Sequence, residues 1–447
     1  MKVLLVWPKA RTDPEWGGDL GAVAEPLALE YLAAGVCLDG HEARILDLRL
    51  RPDALEAELR GYRPEVVGVT AFSMHVRAAL EVCRKAKALL PDVITVAGGH
   101  HATFLPEDFF EPQMDHVVIG EGVAPLRALL KRYADGDRTV SGLQAVWSRV
   151  GEKFEFGGPA PKIELANLPP PDRRVTQADR PHYFIDWMKP VALMRSSVGC
   201  PYRCTFCSVW QIVDGRYYSR PVDQVVEEAA AIEEEFVFLV DDEAFIQRHR
   251  MLELAQALKR AGVRKRFFAY CRMDSLVRQR EVVKAWTEVG LERLMMGIDA
   301  ISENDLVEYN KGYNSAQIEA GLRVAEELGI EVLAQFVVNT NYTKRDFQKL
   351  ARFVEHHRIR YPSFTVLTPL PGTELMTNFD RIVERQPNGR PNWDLFDTQN
   401  AVTATYLPRD EFRREYRNLF RLFRGSYSQY LPYHSVPQHA VGQSVQG

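Results

Sequence analysis

Residues 199–207 read GCPYRCTFC, with Cys200, Cys204 and Cys207 spaced CxxxCxxC and Phe206 directly before the last thiol. Three thiolates in one short loop can ligate three irons of a [4Fe–4S] cube. The fourth iron is then left without a protein ligand, open to a substrate or cosubstrate. A four-cysteine electron-transfer cluster instead closes every position. Two plainer readings stand beside this one: structural cysteines, or a zinc site short of a ligand. No nearby His completes a zinc tetrahedron, and zinc pairs usually read CxxC. The open cluster is the preferred reading.

The motif CxxxCxΦC (Φ aromatic), on the loop after the apolar run VALMRSS at 191–197, resembles that of the radical SAM superfamily. The resemblance implies that the open iron chelates the amino and carboxylate groups of S-adenosylmethionine (SAM). It further implies that an electron from the cluster cleaves the S–C5′ bond, releasing a 5′-deoxyadenosyl radical that abstracts hydrogen from a substrate. An external electron donor such as flavodoxin or ferredoxin is implied as well.

At 447 residues the chain exceeds one ordinary domain, and 46% apolar residues suffice for sizeable cores. The net charge of −4 is small and basic residues form no blocks, so bulk attraction to nucleic acid or anionic membrane is not indicated. Residues 1–7 end at Pro8 without a cleavage site, and no apolar stretch approaches membrane-spanning length. Six cysteines in a long chain without a secretory signal point to a reducing compartment, hence the cytoplasm.

Residues 1–134 alternate apolar runs with helical patterns. Strands are expected at 2–7, 42–48, 65–72, 93–99 and 116–122, and helices at 24–38, 53–60, 75–90 and 123–134. Such alternation predicts a parallel, doubly wound, Rossmann-like sheet that binds ligands beyond the carboxyl ends of its strands. The segments lying there are 8–21, Thr70 to His75, Gly98 to Phe104 and Gly120 to Val123. This part resembles the cobalamin-binding domain that precedes the radical SAM barrel in one large subfamily. TAFS (70–73), AGGHHAT (97–103) and IGEG (119–122) carry the resemblance. Thr70, Ser73, Gly98, Gly99, Gly120, Glu121 and Gly122 are the corrinoid contacts that it implies. The DxHxxG signature, which supplies a cobalt-ligating His in other cobalamin proteins, is absent, as is usual in this subfamily.

AVWSRVGEKFEFGG (145–158) reads as a hairpin and 159–174 as a proline-rich connection. From Val191 strands are expected at 191–197, 236–240, 266–270, 292–298, 330–338 and 362–367, with helices at 222–234, 248–261, 279–289, 315–328 and 343–357. Six βα units suggest a partial (β/α)6 barrel, too few for the closed eight-stranded form. The expected organisation is a cobalamin-binding unit over 1–140, a hairpin and linker over 141–190, a radical SAM barrel over 191–370, and a mostly helical cap and tail over 371–447.

Chemistry-bearing residues fall at the expected strand ends. DDEAF (241–245) takes the place of the family's GGE-type motif, so Asp241, Asp242 and Glu243 are candidates for the SAM ammonium, with an acidic helix cap as the plain alternative. Arg272 offers fork geometry to the SAM carboxylate, or a surface ion pair. Asp299 stands where the family has the glutamate of GIES, which approaches the ribose, and NKG (310–312) follows the family habit. Asn339 opens a polar stretch where relatives often carry a glycine-rich turn, and TPLPGTEL (368–375) returns to the family pattern. Cys37, Cys83 and Cys271 read as packing, and Trp393, Phe396 and Tyr406 as core or pocket aromatics. No residue is singled out as a catalytic acid or base.

The leading function is methyl transfer from methylcobalamin to an unactivated carbon of a small molecule or peptide, with cluster, SAM and cobalamin as cofactors. S-adenosylhomocysteine formed together with 5′-deoxyadenosine marks methylation. 5′-Deoxyadenosine alone marks the second reading, a cyclisation or rearrangement on the same cofactors. A tRNA methylthiotransferase would need three further cysteines near the N-terminus and a basic tail, which this chain lacks. A non-catalytic iron–sulfur or corrinoid-binding protein predicts a cluster without SAM cleavage.

Overall fold

The structure, a computed structural model, describes residues 1–11, 22–137, 139 and 142–427, the side chains of 424–427 excepted. Most of the expected ligand loop at 8–21, and the tail from 428, lie outside the described residues.

The first sheet has strands β1 (Lys2–Trp7), β2 (Glu42–Asp47), β3 (Val66–Thr70), β4 (Ile94–Gly98) and β5 (His116–Val118). It continues into an antiparallel hairpin, β6 (Val146–Val150) and β7 (Lys153–Phe156), in the order β2-β1-β3-β4-β5-β6-β7. The first five strands are parallel. Their residues are Val- and Leu-rich because helices cover both faces, and two apolar clusters form on the two sides. The order 2-1-3-4-5 reverses between β1 and β3, which opens a ligand crevice beyond their carboxyl ends. The hairpin, grouped with the linker by sequence, instead pairs with β5 and extends this sheet. Its inward residues Val146 and Ser148 are buried because they pack on β5, a pairing that proline-rich flanks conceal.

The second sheet holds β8 (Val191–Met194), β9 (Phe236–Leu239), β10 (Arg266–Tyr270), β11 (Leu291–Asp299), β12 (Glu331–Val338) and β13 (Tyr361–Val366), all parallel and in chain order. Consecutive parallel strands with intervening helices make the open six-stranded barrel. Phe238, Phe268, Leu333 and Tyr361 cluster together, with Leu193, Val240, Tyr270 and Met295 partly buried against them.

The C-terminal end is helical, as expected: Arg409–Tyr427 packs Phe412, Tyr416, Leu419 and Phe423 on the barrel. Before it, short 3₁₀ turns at Glu374–Thr377, Phe379–Arg381 and Trp393–Leu395 and their flanks bring Met376, Ile382, Trp393 and Phe396 into the core of the first unit. Arg77 of the first unit donates to Asp394 at 2.8 Å. Trp393 and Phe396 are therefore core, while Tyr406 is 70% exposed. Among the described residues no helix is long and apolar enough to cross a membrane.

A buried ionic junction joins the two units. Glu25 and Glu30, at the start of the helix Leu27–Leu38, meet Arg173 and Arg180 of the linker and Glu228 of the barrel helix Val222–Ala231. Arg173 reaches Glu228 at 2.8 Å and Glu25 at 3.5 Å, and Arg180 reaches Glu25 at 3.0 Å and Glu234 at 2.5 Å. Glu25 also accepts the Leu193 amide of β8 at 2.8 Å. The linker thus fixes one unit against the other through charge, not merely through length.

Candidate active site

The cysteine loop leaves β8 through Ser196 and Ser197. Asp241, at the end of β9, accepts their amides at 2.6 and 3.0 Å and their hydroxyls at 2.5 and 2.6 Å. Both carboxylate oxygens are consumed, so Asp241 anchors the loop and is not free to receive a cofactor ammonium. Asp242 accepts the Gly199 amide at 2.7 Å. It remains accessible, yet desolvation raises its carboxyl above the ordinary range, as befits a recessed cleft wall. Gly199 has φ +99°, and a Cβ there would sit 2.2 Å from the Arg216 carbonyl oxygen.

The third carboxylate differs. Glu243 is 1% exposed; its Oε2 accepts the Arg272 amide at 2.8 Å, while Oε1 is buried without a hydrogen bond. Desolvation pushes it up to about 7. A buried carboxylate oxygen without a donor is costly unless a ligand supplies one.

Of the two readings of Arg272, a fork for the SAM carboxylate or an ion pair, the structure shows an ion pair, and a buried one. Nε donates to Asp274 at 2.9 Å, Nη2 donates to the Lys311 carbonyl, and Nη1 lies 3.8 Å from Cys204 Sγ. Tyr202, inside the cysteine loop, stacks on the guanidinium at 3.6 Å. Arg272 therefore braces the loop and sets a cation beside a thiol.

The NKG segment closes round the same loop. Asn310 Nδ2 donates to the Arg203 carbonyl at 2.7 Å, and the Thr205 amide donates to the Tyr309 carbonyl at 3.1 Å. Phe206, the aromatic of the motif, packs edge-on against Tyr309 at 5.3 Å. Its role here is to seat the loop. Lys311 is 5% exposed and ion-paired with Asp299, which raises its ammonium far above the ordinary range. Asp299 ends β11 at a bulge with φ +62°, turning its carboxylate toward this lysine. Asn339 is buried; its Oδ1 accepts the Asn341 amide at 3.2 Å. From the last barrel loop, the Glu374 amide donates to the Thr205 carbonyl at 3.1 Å.

Cys204 is 7% exposed, and Cys200 and Cys207 are half-buried. Burial pushes the Cys200 and Cys207 thiols up to about 12 and about 11. Thiols so placed ionise only against metal charge. Among the described residues no trio of His, Cys, Asp or Glu closes on a single ion position. The donor set fits a [4Fe–4S] cluster.

In the first unit Gly99 has φ +102°, and a Cβ there would lie 2.8 Å from both the Ala71 amide and Thr70 Oγ1. Gly99→Ala is expected to lower stability by about 2 kcal/mol or more, from overpacking and backbone strain together. Gly98→Ala, which would meet only Val118, at ordinary contact distances of 3.6 and 3.9 Å, is expected to be mild. Thermal melts of the two variants check the contrast. Ser73 was expected to face a ligand, but it is 3% exposed and its hydroxyl pairs with His101 Nδ1 at 3.0 Å. His101 Nε2 in turn lies 2.9 Å from Asp108. Glu121 accepts the Val123 amide at 2.9 Å and so caps the following helix, with Gly120 and Gly122 forming its turn. Phe72, 47% exposed at the end of β3, and Trp7, at the end of β1, line the crevice. Lys311, Tyr202 and Phe72 escaped the sequence reading; all three lie inside quoted motifs, and that position was the available signal. A groove of 920 Å³ on the outer side of the ionic junction, between Leu168 and Gln224, contains none of these candidates.

A doubly wound unit with an open crevice, set against a partial barrel that carries three thiols on its first loop, defines a two-cofactor enzyme. Residues 17–130 match the B12 binding domain family and residues 194–354 the Radical SAM superfamily. Hopanoid C-3 methylase of Methylococcus capsulatus is 32% identical over 401 residues, 88% of this chain and 75% of that protein. Anaerobic magnesium-protoporphyrin IX monomethyl ester cyclase of Cereibacter sphaeroides is 26% identical, over 86% of this chain and 64% of its own. The structure of the radical SAM methyltransferase TsrM from Kitasatospora setae, with cobalamin and a [4Fe–4S] cluster bound, aligns at a TM-score of 0.67. It shares 19% identity and covers 100% of this chain and 92% of TsrM. This chain belongs to the cobalamin-dependent radical SAM methyltransferase family. It is an enzyme, and its cofactors are a [4Fe–4S] cluster, SAM and cobalamin.

Proposed function

We propose that the protein methylates an unactivated carbon of an extended apolar small molecule, a polycyclic triterpenoid lipid of the hopanoid class. One observation carries the reading beyond the relative's name. The barrel interior is largely apolar, with Leu193, Val240, Tyr270 and Met295 partly exposed above buried Phe238, Phe268, Leu333 and Tyr361, and the buried cation among these, Arg293, packs on Phe268 and Tyr361 and is paired with Asp186 and Glu331. A site lined in this way suits a hydrocarbon skeleton held by shape, with few polar contacts.

Cys200, Cys204 and Cys207 hold the cluster. Glu243 Oε1 receives the SAM ammonium, because among Asp241, Asp242 and Glu243 it is the carboxylate oxygen buried without a hydrogen bond. Asp242 lines the cleft beside it. Arg272 orients the cysteine loop and places positive charge at Cys204, and Lys311 holds Asp299 turned toward the ribose position. Asn339 offers an amide to the nucleoside. Thr70, Gly98 and Gly99 form the corrinoid floor beyond β3 and β4, and the Gly120–Gly122 turn forms its side. When bound, cluster and SAM supply the hydrogen-abstracting 5′-deoxyadenosyl radical, and methylcobalamin supplies the methyl group. The chain's own part is to exclude water, align the reacting carbon and keep both cofactors fixed. Electrons come from an external one-electron donor such as flavodoxin or ferredoxin. Cys37, Cys83 and Cys271 are free thiols, in keeping with a reducing cytoplasm.

The test is anaerobic turnover of the reconstituted enzyme with SAM, hydroxocobalamin, titanium(III) citrate and an unmethylated hopanoid, so that SAM is the only source of methyl. The expected products are methylhopanoid, S-adenosylhomocysteine and 5′-deoxyadenosine. 5′-Deoxyadenosine without S-adenosylhomocysteine would sink methyl transfer, and turnover only with a polar substrate would sink the lipid class.

The Glu243 assignment carries its own pH prediction. Burial raises this carboxyl to about 7, so in the SAM-free protein it is protonated below that pH. A raised acid of this kind contributes stability that is present at low pH and lost as pH rises through about 7. SAM affinity should show the opposite trend and strengthen through the same window, because the ammonium pairs with the ionised form. Glu243→Gln is expected to cost about 2 kcal/mol or more, about thirtyfold in affinity, and to flatten the dependence. Equilibrium binding of SAM across pH measures both.

A further inference from the structure

His100 begins the short helix His100–Phe104 beyond β4, and its Nε2 lies 2.6 Å from the hydroxyl of Ser208, the residue after Cys207. This hydrogen bond crosses from the corrinoid unit to the cluster loop. Four residues on, Phe104 abuts Gly372 so closely that a Cβ there would fall 2.4 Å from the ring. The turn holding Gly372 is tied back to the cysteine loop through Glu374 and Thr205. One helix of the first unit therefore reaches the cluster loop twice, once directly and once through the last barrel loop. On its other side the His100 ring stacks on Phe72 at 5.9 Å and 28°, at the mouth of the corrinoid crevice. Burial pushes the imidazole down to about 4, so the ring is neutral and bonds the hydroxyl as donor or as acceptor.

We propose that His100 is a positioning residue that, through Ser208, sets the distance and angle between the bound corrinoid and the [4Fe–4S] cluster. Hydrogen abstraction and methyl delivery act on one carbon, so both cofactors must be in register on it. A misplacement of about 1 Å costs on the order of a hundredfold in rate. A direct bond from the crevice wall to the residue flanking a cluster cysteine is the shortest way to carry that register. The inference rests on the family's cofactor set and is independent of the hopanoid assignment.

The test uses the full chain loaded with cluster and hydroxocobalamin, then reduced so that cob(II)alamin and the [4Fe–4S]⁺ cluster are both paramagnetic. Pulsed dipolar EPR then reads the separation between the two. The wild type should give one narrow distance. His100→Ala and Ser208→Ala should each shift or broaden it by on the order of 1 Å. The double variant should do no more than either single one, since both break the same bond. His100→Gln, which keeps a polar atom near the place of Nε2, should restore the narrow distance. An unchanged distance in iron- and corrinoid-loaded His100→Ala and Ser208→Ala overturns the proposal. If His100→Ala fails to load corrinoid, Ser208→Ala decides alone, because Ser208 belongs to the barrel. Failure of the wild type to take up corrinoid would overturn the cofactor assignment and this inference together.

Discussion

Cys204→Ala is expected to abolish reductive cleavage of SAM, with 5′-deoxyadenosine falling to background, while the protein still folds and still binds cobalamin. Cys204 is the most buried of the three thiols, and Nη1 of Arg272 lies against its sulfur. Its backbone, not its side chain, accepts the Cys207 amide at 3.1 Å and the Trp210 indole at 3.3 Å. The loop therefore keeps its shape when the sulfur is removed. What is lost is one iron ligand of three, and with it a cluster that can present a single open iron. Removing the sulfur also leaves the Arg272 cation facing no thiolate, which disfavours iron at that position. Iron content, the visible charge-transfer absorption and 5′-deoxyadenosine yield under titanium(III) citrate check the prediction. Retained 5′-deoxyadenosine formation would show that the thiols are not the cluster ligands.

Most strands were legible because both faces of each sheet are covered. Such strands read as unbroken apolar runs, and VALM at 191–194 or FVFL at 236–239 cannot be mistaken for surface. Strand ends were less legible. VALMRSS extended the first barrel strand to 197, but Ser196 and Ser197 are buried by bonding to Asp241 and not by pairing within the sheet. The same bonds explain why three adjacent carboxylates could not be told apart in sequence. Asp241 ties down a loop, Asp242 lines a cleft and Glu243 has a buried oxygen without a donor, and each role is set by residues distant in the chain. Ser73 illustrates the opposite case: read as a ligand contact, it is committed to His101, a partner that no spacing rule connects to it. Arg272, read as a fork for the SAM carboxylate or as an ion pair, is paired with Asp274. The C-terminal segment was hardest. Its aromatic residues complete the core of a unit almost 300 residues earlier in the chain, as with Trp393 against His101 at 4.6 Å. Local pattern holds no trace of such a partner.

The ionic junction supplies the second large effect, an expected destabilisation of about 3–5 kcal/mol for Arg173→Ala, or a fall of on the order of 10 °C in apparent melting temperature. Arg173 serves Glu228, Glu25 and the Leu193 carbonyl with one guanidinium nitrogen, at 2.8, 3.5 and 2.6 Å. The carboxylates that it serves are almost wholly buried. Removing it leaves Arg180 to compensate Glu25 and Arg220 to compensate Glu228, with nothing bridging the two. Breaking one member of such a network costs more than the network itself contributes, because charge is stranded away from water. Arg174→Ala is the control: its side chain is 87% exposed, and its solvent-screened bridge to Asp172 is expected to contribute little. The deficit should also depend on pH with a definite sign. Desolvation, with repulsion from Glu30, already pushes Glu25 up to about 8, and Arg173 opposes that shift. Without Arg173 the carboxyl of Glu25 rises further, so the folded variant takes up a proton and relieves part of the loss at low pH. Its stability is then lost as pH rises through that higher value, above the wild-type value of about 8. The gap between Arg173→Ala and wild type should accordingly be wider at about pH 9 than at about pH 6. A gap that is constant across that range, or no larger than that of Arg174→Ala, would mean that packing and not charge holds the two units together.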